Sequence, residues 1–171
     1  FLNLAERGVS VAILTNSLAA TDVAAVHAGY ARYRKPLLLG GVNLHELRSQ
    51  ADQGSFTLRG SGQASLHTKA FTRDGKTGYI GSLNFDPRSA RLNTELGFVI
   101  DSPTLARHIA TAFDQDIPRN AYRVCLDDQD RLYWLEQREG RTIRHDTEPG
   151  TTAWQRFSVW FVSLLPIESL L

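Results

Sequence analysis

The sequence predicts an α/β fold in which a mixed sheet is flanked by helices. The first observation is a pair of apolar runs, at 9–14 and 42–47, that enclose a helix-like stretch. A strand–helix–strand crossover of this length implies parallel pairing in a sheet covered by helices. The second observation is a length of 171 residues, of which 42% are hydrophobic and 22% charged. These values are ordinary for one globular domain and argue against a disordered or fibrous chain.

The predicted amino-terminal elements alternate between helix and strand. In order, they are a helix at 2–7, a strand at 9–14, a helix at about 23–39 and a strand at 42–47. Thr21 and Asp22 are candidate N-caps of the longer helix, because their side-chain oxygens can accept bonds from its first N–H groups. Gly40 and Gly41 mark its end.

The middle of the chain combines a predicted long loop with a predicted hairpin. Residues 48–65 are polar and rich in glycine, and loops of that length are usually functional or disordered. Strands at 66–72 and 77–80 flank Asp74-Gly75, which is a strong signal for a hairpin turn. The next predicted elements are a strand at 95–100 and a helix from Pro103 to about 114.

The carboxyl-terminal third changes in character. Strands at 122–126 and 131–136 are joined by an acidic turn, and a polar connector is predicted at 137–153. Residues 154–171 are strongly apolar and aromatic. The predicted organisation is therefore a half-domain at 1–136, followed by the connector and by the apolar segment.

Charge and residue counts narrow the classes of function. The 19 Lys and Arg residues against 18 Asp and Glu residues give a net charge of +1, which argues against a polyanion binder driven by bulk charge. The single Cys125 excludes an intrachain disulfide and favours a reducing compartment. The chain has no Met and no signal-peptide pattern at its start, so we expect a fragment from the interior of a longer protein.

One stretch carries side chains suited to phosphate chemistry. If it is extended, His67 and Lys69 share one strand face, because side chains alternate with period two. The turn at Asp74 then brings Ser82 and Asn84 back beside them. An ammonium, an amide and a hydroxyl around an imidazole make a pocket for a tetrahedral oxyanion such as phosphate. The imidazole can act there as a nucleophile or as a general acid.

The spacing His-x-Lys-x4-Asp-x6-Gly-Ser-x-Asn resembles the defining motif of the phospholipase D superfamily at every position. The matching residues are His67, Lys69, Asp74, Gly81, Ser82 and Asn84. The continuation at 84–89 and 93–95, the region 5–42 and the ending at 160–168 are similar to bacterial cardiolipin synthases of the C type. The resemblance covers nearly the whole chain and is to the half that carries the second motif.

This resemblance implies a phospholipase D-type α/β/α sandwich that forms one half of a pseudo-twofold protein with two domains. It also implies a two-step mechanism through a phosphohistidine, with one histidine from each half. In two-motif members the first-half histidine is usually the nucleophile, which would make His67 the general acid and base. No cofactor or metal is implied.

The resemblance also implies roles for the other motif residues. Lys69 and Asn84 would bind the non-bridging phosphate oxygens, and Ser82 would support them. Glu95 would accept the second imidazole N–H and so hold the tautomer of the histidine. Asp74 belongs to the catalytic motif, although in the family its role is more structural than chemical.

A second group of candidate residues lies on the long predicted helix. His27, Tyr30 and Arg34 are spaced i, i+3 and i+7 and therefore share a helix face. They are predicted to line a substrate entrance for a lipid headgroup or to pack against the missing half. The alternative is an ordinary amphipathic surface helix.

The apolar segment has two interpretations. The 15 residues from Phe157 to Leu171 are too short and too interrupted for a transmembrane helix. As a helix, the segment has an aromatic stripe that belongs to the core or lies in a bilayer interface, where Trp is favoured. A lipid-modifying activity requires contact with a membrane, so the bilayer interface is favoured over the protein core as the place of this stripe. This predicts a peripheral protein on the cytoplasmic side of the bacterial inner membrane.

Three functions stay open at this point. The favoured one is phosphatidyl transfer between phospholipid substrates, giving cardiolipin, in a site completed by the missing amino-terminal half. The second is a phosphodiesterase or endonuclease whose site is completed by a second copy of the chain, although near-neutral charge disfavours nucleic acid. The third is a silent fragment that binds phosphate or lipid without turnover. Transfer and hydrolysis share one intermediate, so the sequence does not separate them.

Overall fold

The computed structural model describes residues 1–21, 24–49, 69–85, 89 and 91–163. The predicted cap Asp22, the motif residue His67 and most of the predicted loop at 48–65 lie outside these residues. The described chain divides into two compact units. One contains the residues up to 49 and those from Ile117 onward, and the other contains residues 69–116. The prediction of one half-domain over 1–136 did not anticipate this division.

The bounds of the described elements are as follows. The helices are α1 Leu2–Glu6, α2 Ala24–Ala31, α3 Arg34–Leu39, α4 Pro103–Thr111, α5 Ile117–Asn120 and α6 Ala153–Ser163. The strands are β1 Ala12–Asn16, β2 Asn43–Leu47, β3 Lys69–Arg73, β4 Thr77–Gly81, β5 Gly97–Asp101, β6 Ala121–Leu126, β7 Leu132–Arg138 and β8 Arg141–His145. A 3₁₀ turn lies at Leu18–Ala20 and a π-helical turn at Ala112–Asp116.

The first unit is built on a five-stranded mixed sheet with the order β1-β2-β6-β7-β8. Strands β1 and β2 are parallel, as the strand–helix–strand pattern predicts. The other three pairs, β2 with β6, β6 with β7 and β7 with β8, are antiparallel. The predicted fold class, a mixed α/β structure, is therefore confirmed.

One face of this sheet forms the core of the first unit. Leu44, Tyr122, Val124 and Trp134 are buried together, with relative exposures of 0–4%. Each such side chain contributes about 2 kcal/mol relative to an exposed position. Helix α3 packs against β2 and β6, and α6 packs against α2. The alternation along β2 places Glu46 on this same buried face, beside Leu44.

The predicted helix at 23–39 is two helices, α2 and α3. Pro36 is the physical reason, because in a continuous helix it would lack the N–H that bonds to the carbonyl of Arg32 and its ring would crowd the preceding turn. The break after Ala31 places Pro36 in the first turn of α3, where no N–H is needed.

The segment at 137–153, predicted as a polar connector, contains strand β8. Residues Glu139 and Gly140 both have positive φ angles, of 52° and 74°, and turn the chain back between Arg138 and Arg141. Strand β8 is exposed over four of its five positions. It therefore carries no apolar alternation by which sequence analysis can detect a strand.

The second unit holds a three-stranded antiparallel sheet with the order β3-β4-β5. Asp74 and Gly75 have φ angles of 54° and 61°, and Lys76 N donates to Arg73 O at 3.0 Å. Two successive positive φ angles are the mark of a type I′ hairpin turn, which confirms the Asp-Gly prediction. Helix α4 packs on β3 and β4, and its first turn is capped by Ser102 Oγ, which accepts from Leu105 N at 3.3 Å.

Candidate active site

The ends of three strands meet at the Lys69 edge of the second unit. The register pairs Lys69 with Gly81 across β3 and β4, and Gly81 with Gly97 across β4 and β5. The segment after β4 begins with Ser82, and Glu95 lies two residues before β5. The hairpin and the third strand thus bring together residues that are up to 26 positions apart in the sequence.

Ser82 joins the two segments at this edge. Its backbone N donates to Leu96 O at 2.9 Å, and its Oγ accepts from Leu96 N at 3.0 Å. The same hydroxyl donates to Glu95 Oε2 at 2.5 Å. The hydroxyl therefore holds the Glu95 carboxylate in place, and the predicted support of phosphate by Ser82 stays a prediction.

Glu95 is kept ionised by its neighbours. The hydrogen bond from Ser82 is the largest influence and lowers the pKa of the Glu95 carboxyl below 4.5, against a smaller opposing effect of desolvation. The side chains of Ser89 and Asn93 and the charge of Lys69 lower the pKa further. The Glu95 carboxylate is therefore an anionic acceptor at this edge, within reach of the charge of Lys69.

Ser89 and Asn93 take part in the site without having been assigned a role from the sequence. Asn93 Nδ2 donates to Ser89 Oγ at 3.3 Å, and Ser89 is 4% exposed. Both residues belong to the stretch that resembles cardiolipin synthases. Their spacing could have indicated this contact. The two residues are four positions apart, which suits neighbours on one helical turn, and Asn93 lies two residues before Glu95.

Asn84 and His67 are two further residues predicted at this site. Asn84 is exposed and lies two residues beyond Ser82 in the segment that leaves β4. His67 lies outside the described residues, and the sequence places it two positions before Lys69. Their roles as phosphate ligand and as acid and base stay predictions.

Asp74 lies apart from this group, and its role in the catalytic motif stays a prediction. It occupies the hairpin turn at the opposite end of β3, five residues from Lys69. At about 3.3 Å per residue this is a separation of roughly 16 Å. Its ion pair with Arg73, 3.8 Å between Nε and Oδ2, is exposed and contributes little to stability. The position at positive φ supports the structural role that the resemblance implies.

His27, Tyr30 and Arg34 are brought together, but in a buried network of the first unit. Glu46, 1% exposed, is its centre: Oε1 accepts from Tyr30 Oη at 2.8 Å and from Arg34 Nε at 2.7 Å. Oε2 accepts from Trp134 Nε1 at 2.9 Å. Arg34 Nη2 lies 2.8 Å from His27 Nε2.

The network also includes Glu148, from the segment that precedes α6. Its carboxylate accepts from Arg34 Nη1, and it lies 3.6 Å from His27 Nε2. Burial would raise the pKa of Glu148, but His27 and Arg34 together lower it to about 2. Burial would lower the pKa of the Arg34 guanidinium, and the charges of Glu46 and Glu148 raise it instead.

The burial of this network bears on the predicted substrate entrance. His27 and Arg34 are 2% and 3% exposed, and their polar atoms are engaged by side chains of the same unit. Burial and desolvation, followed by the charge of Glu46, raise the pKa of Tyr30 well above its ordinary value. A substrate entrance at these residues stays a prediction, and their burial argues for a structural role.

Helix α6 presents an exposed aromatic face. The exposed side chains are Trp154, Phe157, Trp160 and Phe161, at 50–73%. Trp154 and Phe157 are stacked with centroids 5.7 Å apart, and Phe157 and Trp160 lie 5.8 Å apart. On the other side of the helix, Val159 is 7% exposed.

The described residues contain neither a membrane-spanning helix nor a cluster of metal-binding side chains. Within the described ranges no helix has the length and apolar character needed to cross a membrane. In the same part of the chain, His, Cys, Asp and Glu side chains form no group of three or more that suits a metal ion.

The sequence of the chain is similar to that of cardiolipin synthases. The family described as "Cardiolipin synthase, PLD-like domain" matches residues 1–117. The chain is 49% identical over 99% of its length to Cardiolipin synthase C of Escherichia coli K12, of which it covers 37%. An uncharacterized protein of Helicobacter pylori is 32% identical over 99% of the chain, with 34% of that protein covered. Cardiolipin synthase A of Pectobacterium carotovorum is 28% identical over 76% of the chain, with 24% covered.

The chain thus spans about a third of the length of the Escherichia coli and Helicobacter pylori relatives. No solved structure matches it.

Proposed function

This chain belongs to the phospholipase D-like domain family of the cardiolipin synthases, and we propose that it supplies one of two His-Lys-Asp motifs for phosphatidyl transfer between phospholipids. The product of this transfer is cardiolipin. The observation that carries the proposal is the convergence of Lys69, Ser82 and Glu95 at one sheet edge. In the sequence, His67 stands two residues from that edge.

Each converging side chain has a defined task in this proposal. The Lys69 ammonium attracts a non-bridging phosphate oxygen, and Asn84 donates to a second one. Ser82 positions the Glu95 carboxylate through its 2.5 Å hydrogen bond. A carboxylate has several acceptor sites, so Glu95 can accept an imidazole N–H from His67 in addition to the bond from Ser82. The anionic carboxylate then favours the protonated imidazole.

The reaction proceeds in two displacements at phosphorus. In the first, a histidine of the other motif forms a P–N bond, the P–O bond to the leaving alcohol breaks, and His67 gives its proton to that oxygen. In the second, His67 takes the proton of the incoming phospholipid alcohol, whose oxygen forms a new P–O bond as the P–N bond breaks. The phosphohistidine is the intermediate between them.

The partner of this chain is a second motif-bearing half, present in the same protein or supplied by a second copy. Two observations support this. The named relatives are about three times as long as the chain. Strand β5, which begins two residues after Glu95, is exposed at all five positions, with Phe98 at 64% and Val99 at 73%. Such an apolar surface suits a protein partner.

We further propose that the aromatic face of α6 contacts the membrane that holds the lipid substrates. Trp and Phe side chains are favoured at the boundary between headgroups and acyl chains. The stacked exposed rings on α6 form a continuous surface of this kind. The contact would be peripheral, at the cytoplasmic side of the bacterial inner membrane.

The test of the proposed activity uses the complete gene product with phosphatidylglycerol and phosphatidylethanolamine as substrates. His67→Ala is expected to lower the rate of cardiolipin formation by at least about a thousandfold, because the general acid and base is lost from the site. His108→Ala is the matched control, since His108 is exposed on α4 of the same unit. Wild-type protein that forms no cardiolipin with either lipid contradicts the proposed activity. Full activity of His67→Ala contradicts the assigned role.

A further inference from the structure

Two glycines face each other at the edge that holds the candidate active site. Gly81 ends β4 and Gly97 begins β5, and the register pairs them directly. A β-carbon built on either residue would lie within 3.0 Å of Tyr79 Oη, closer than real β-carbons approach such an atom. The tip of the Tyr79 ring therefore occupies the space that two side chains would otherwise fill.

The ring of Tyr79 is held in this position from one side. Phe71, its register partner on β3, stacks on it with centroids 4.8 Å apart and an interplanar angle of 12°. Tyr79 itself is only partly exposed. A tyrosine pinned between an aromatic ring and two glycines has little freedom to move its hydroxyl elsewhere.

The hydroxyl is located beside the phosphate-binding residues. Lys69 pairs with Gly81, and opposite β-carbons on one sheet face are about 5 Å apart. Glu95 lies two residues before Gly97 and feels the charge of Lys69. Tyr79 Oη, which overlies both glycines, is thus between the strand that carries Lys69 and the strand that follows Glu95.

We propose that Tyr79 is a further substrate-contacting residue, whose hydroxyl donates a hydrogen bond to the phosphate oxygen that Lys69 attracts. This inference rests on the proposed function, because it concerns the same site. It also explains why both positions are glycine. A side chain at Gly81 or Gly97 would push the phenol away from the position of the phosphate. A neutral phenol is a suitable donor to a phosphodiester anion.

A packing role and a substrate role make different demands on Tyr79. An aromatic ring that covers glycines within a sheet stabilises the sheet by contact alone, and phenylalanine serves equally well. Only contact with the ligand requires the hydroxyl. Tyr79→Phe therefore separates the two roles, because it keeps the ring and removes one oxygen.

The first test compares kcat/KM for phosphatidyl transfer in the complete gene product. Tyr79→Phe is expected to lower kcat/KM by roughly 10- to 100-fold, the effect of losing a hydrogen bond to a charged group. Its thermal midpoint is expected to match that of the wild type. Tyr33→Phe is the matched control, because Tyr33 lies between α2 and α3 in the other unit. Equal kcat/KM for Tyr79→Phe and wild type overturns the inference and leaves the proposed activity intact.

The second test measures the binding of inorganic phosphate by calorimetry and does not depend on turnover. Weaker phosphate binding by Tyr79→Phe, by about tenfold or more, supports the inference even if the wild type shows no transfer. In that case the proposed activity fails and the phosphate contact stands. Equal phosphate binding by the two proteins overturns the contact.

A third measurement applies to the wild type and covers the outcome in which Tyr79→Phe is less stable. Protein labelled with 3-fluorotyrosine gives one fluorine resonance per tyrosine, and the resonance lost in Tyr79→Phe identifies Tyr79. A shift of this resonance on addition of inorganic phosphate supports the contact. An unchanged resonance at saturating phosphate overturns it.

Discussion

At the scale of single residues, the site depends on positions where side-chain size is restricted. Tyr79 and Gly97 come from neighbouring strands. The Tyr79 ring fits over β5 only because Gly97 has no β-carbon. The two residues are therefore coupled energetically, whatever ligand the site binds. Coupling of this kind between contacting residues typically amounts to 0.5–3 kcal/mol.

We predict that Gly97→Ala lowers the free energy of unfolding by about 2 kcal/mol, because the new methyl group and the Tyr79 phenol compete for the same space. In a Tyr79→Ala background the same substitution is expected to cost much less. A double-mutant cycle by urea denaturation measures the difference. Equal costs in the two backgrounds would show that the ring does not lie across Gly97.

At the scale of elements, buried charge connects parts of the first unit that are far apart in the sequence. Arg34 in α3 contacts Glu46 in β2 and Glu148 in the segment before α6. A buried guanidinium loses its hydration, and these ion pairs compensate for that loss. Removal of one partner therefore leaves an uncompensated buried charge. The network ties α3 to the sheet and to the start of α6.

The lowered pKa of Glu148 makes a prediction about stability and pH. Its pKa is about 2 in the folded chain against 4.5 without these contacts. A carboxyl with a lowered folded pKa contributes stability above its unfolded pKa and loses it as the pH falls through the folded value. We expect a contribution of about 3 kcal/mol at neutral pH, lost between pH 4.5 and pH 2.

Comparison with Glu148→Gln isolates this contribution from that of other carboxyls. Urea denaturation is measured at several pH values, and the difference between wild type and variant is expected to shrink as the pH falls from 4.5 toward 2. Glu6→Gln, at the exposed end of α1, is the matched control and should leave the pH profile unchanged. A difference for Glu148→Gln that is constant across this range would contradict the assigned pKa.

At the scale of the whole molecule, each of the two described units carries exposed apolar side chains. The exposed rings of α6 are one such surface, and the exposed strand β5 is another. Large apolar patches on a protein surface usually mark contact with a protein or a membrane. The length of the relatives supports a protein partner, and the proposed lipid substrates support a membrane contact for α6.

The membrane contact is testable by flotation with vesicles of phosphatidylglycerol and phosphatidylethanolamine. The double variant Phe157→Ser and Trp160→Ser is expected to reduce the bound fraction by at least about tenfold in partition coefficient, because two inserted aromatic side chains are lost. Leu39→Ser removes an exposed apolar side chain from α3 and is the control. If the double variant floats as well as the wild type, α6 faces a protein partner instead.

Much of the fold and part of the site can be predicted from the sequence. The parallel β1–β2 pair, the hairpin turn and the motif residues follow from local patterns such as alternation, positive φ at Asp-Gly and fixed spacing. Strand β8 is not predicted, because four of its five positions are exposed and Ile143 is its single apolar residue, so no alternating pattern marks it. The break before α3 was missed because an apolar helical pattern continues across Pro36.

The sequence by itself determined the mixed α/β fold and the resemblance to the phospholipase D superfamily, because both depend on residues close together along the chain. Only the tertiary structure decided that Ser82 holds Glu95, that Asp74 lies away from Lys69 and that Tyr79 covers two glycines. It also decided that His27 and Arg34 are buried around Glu46 rather than exposed. These contacts depend on strand register and on packing between distant segments, which spacing along the chain does not specify.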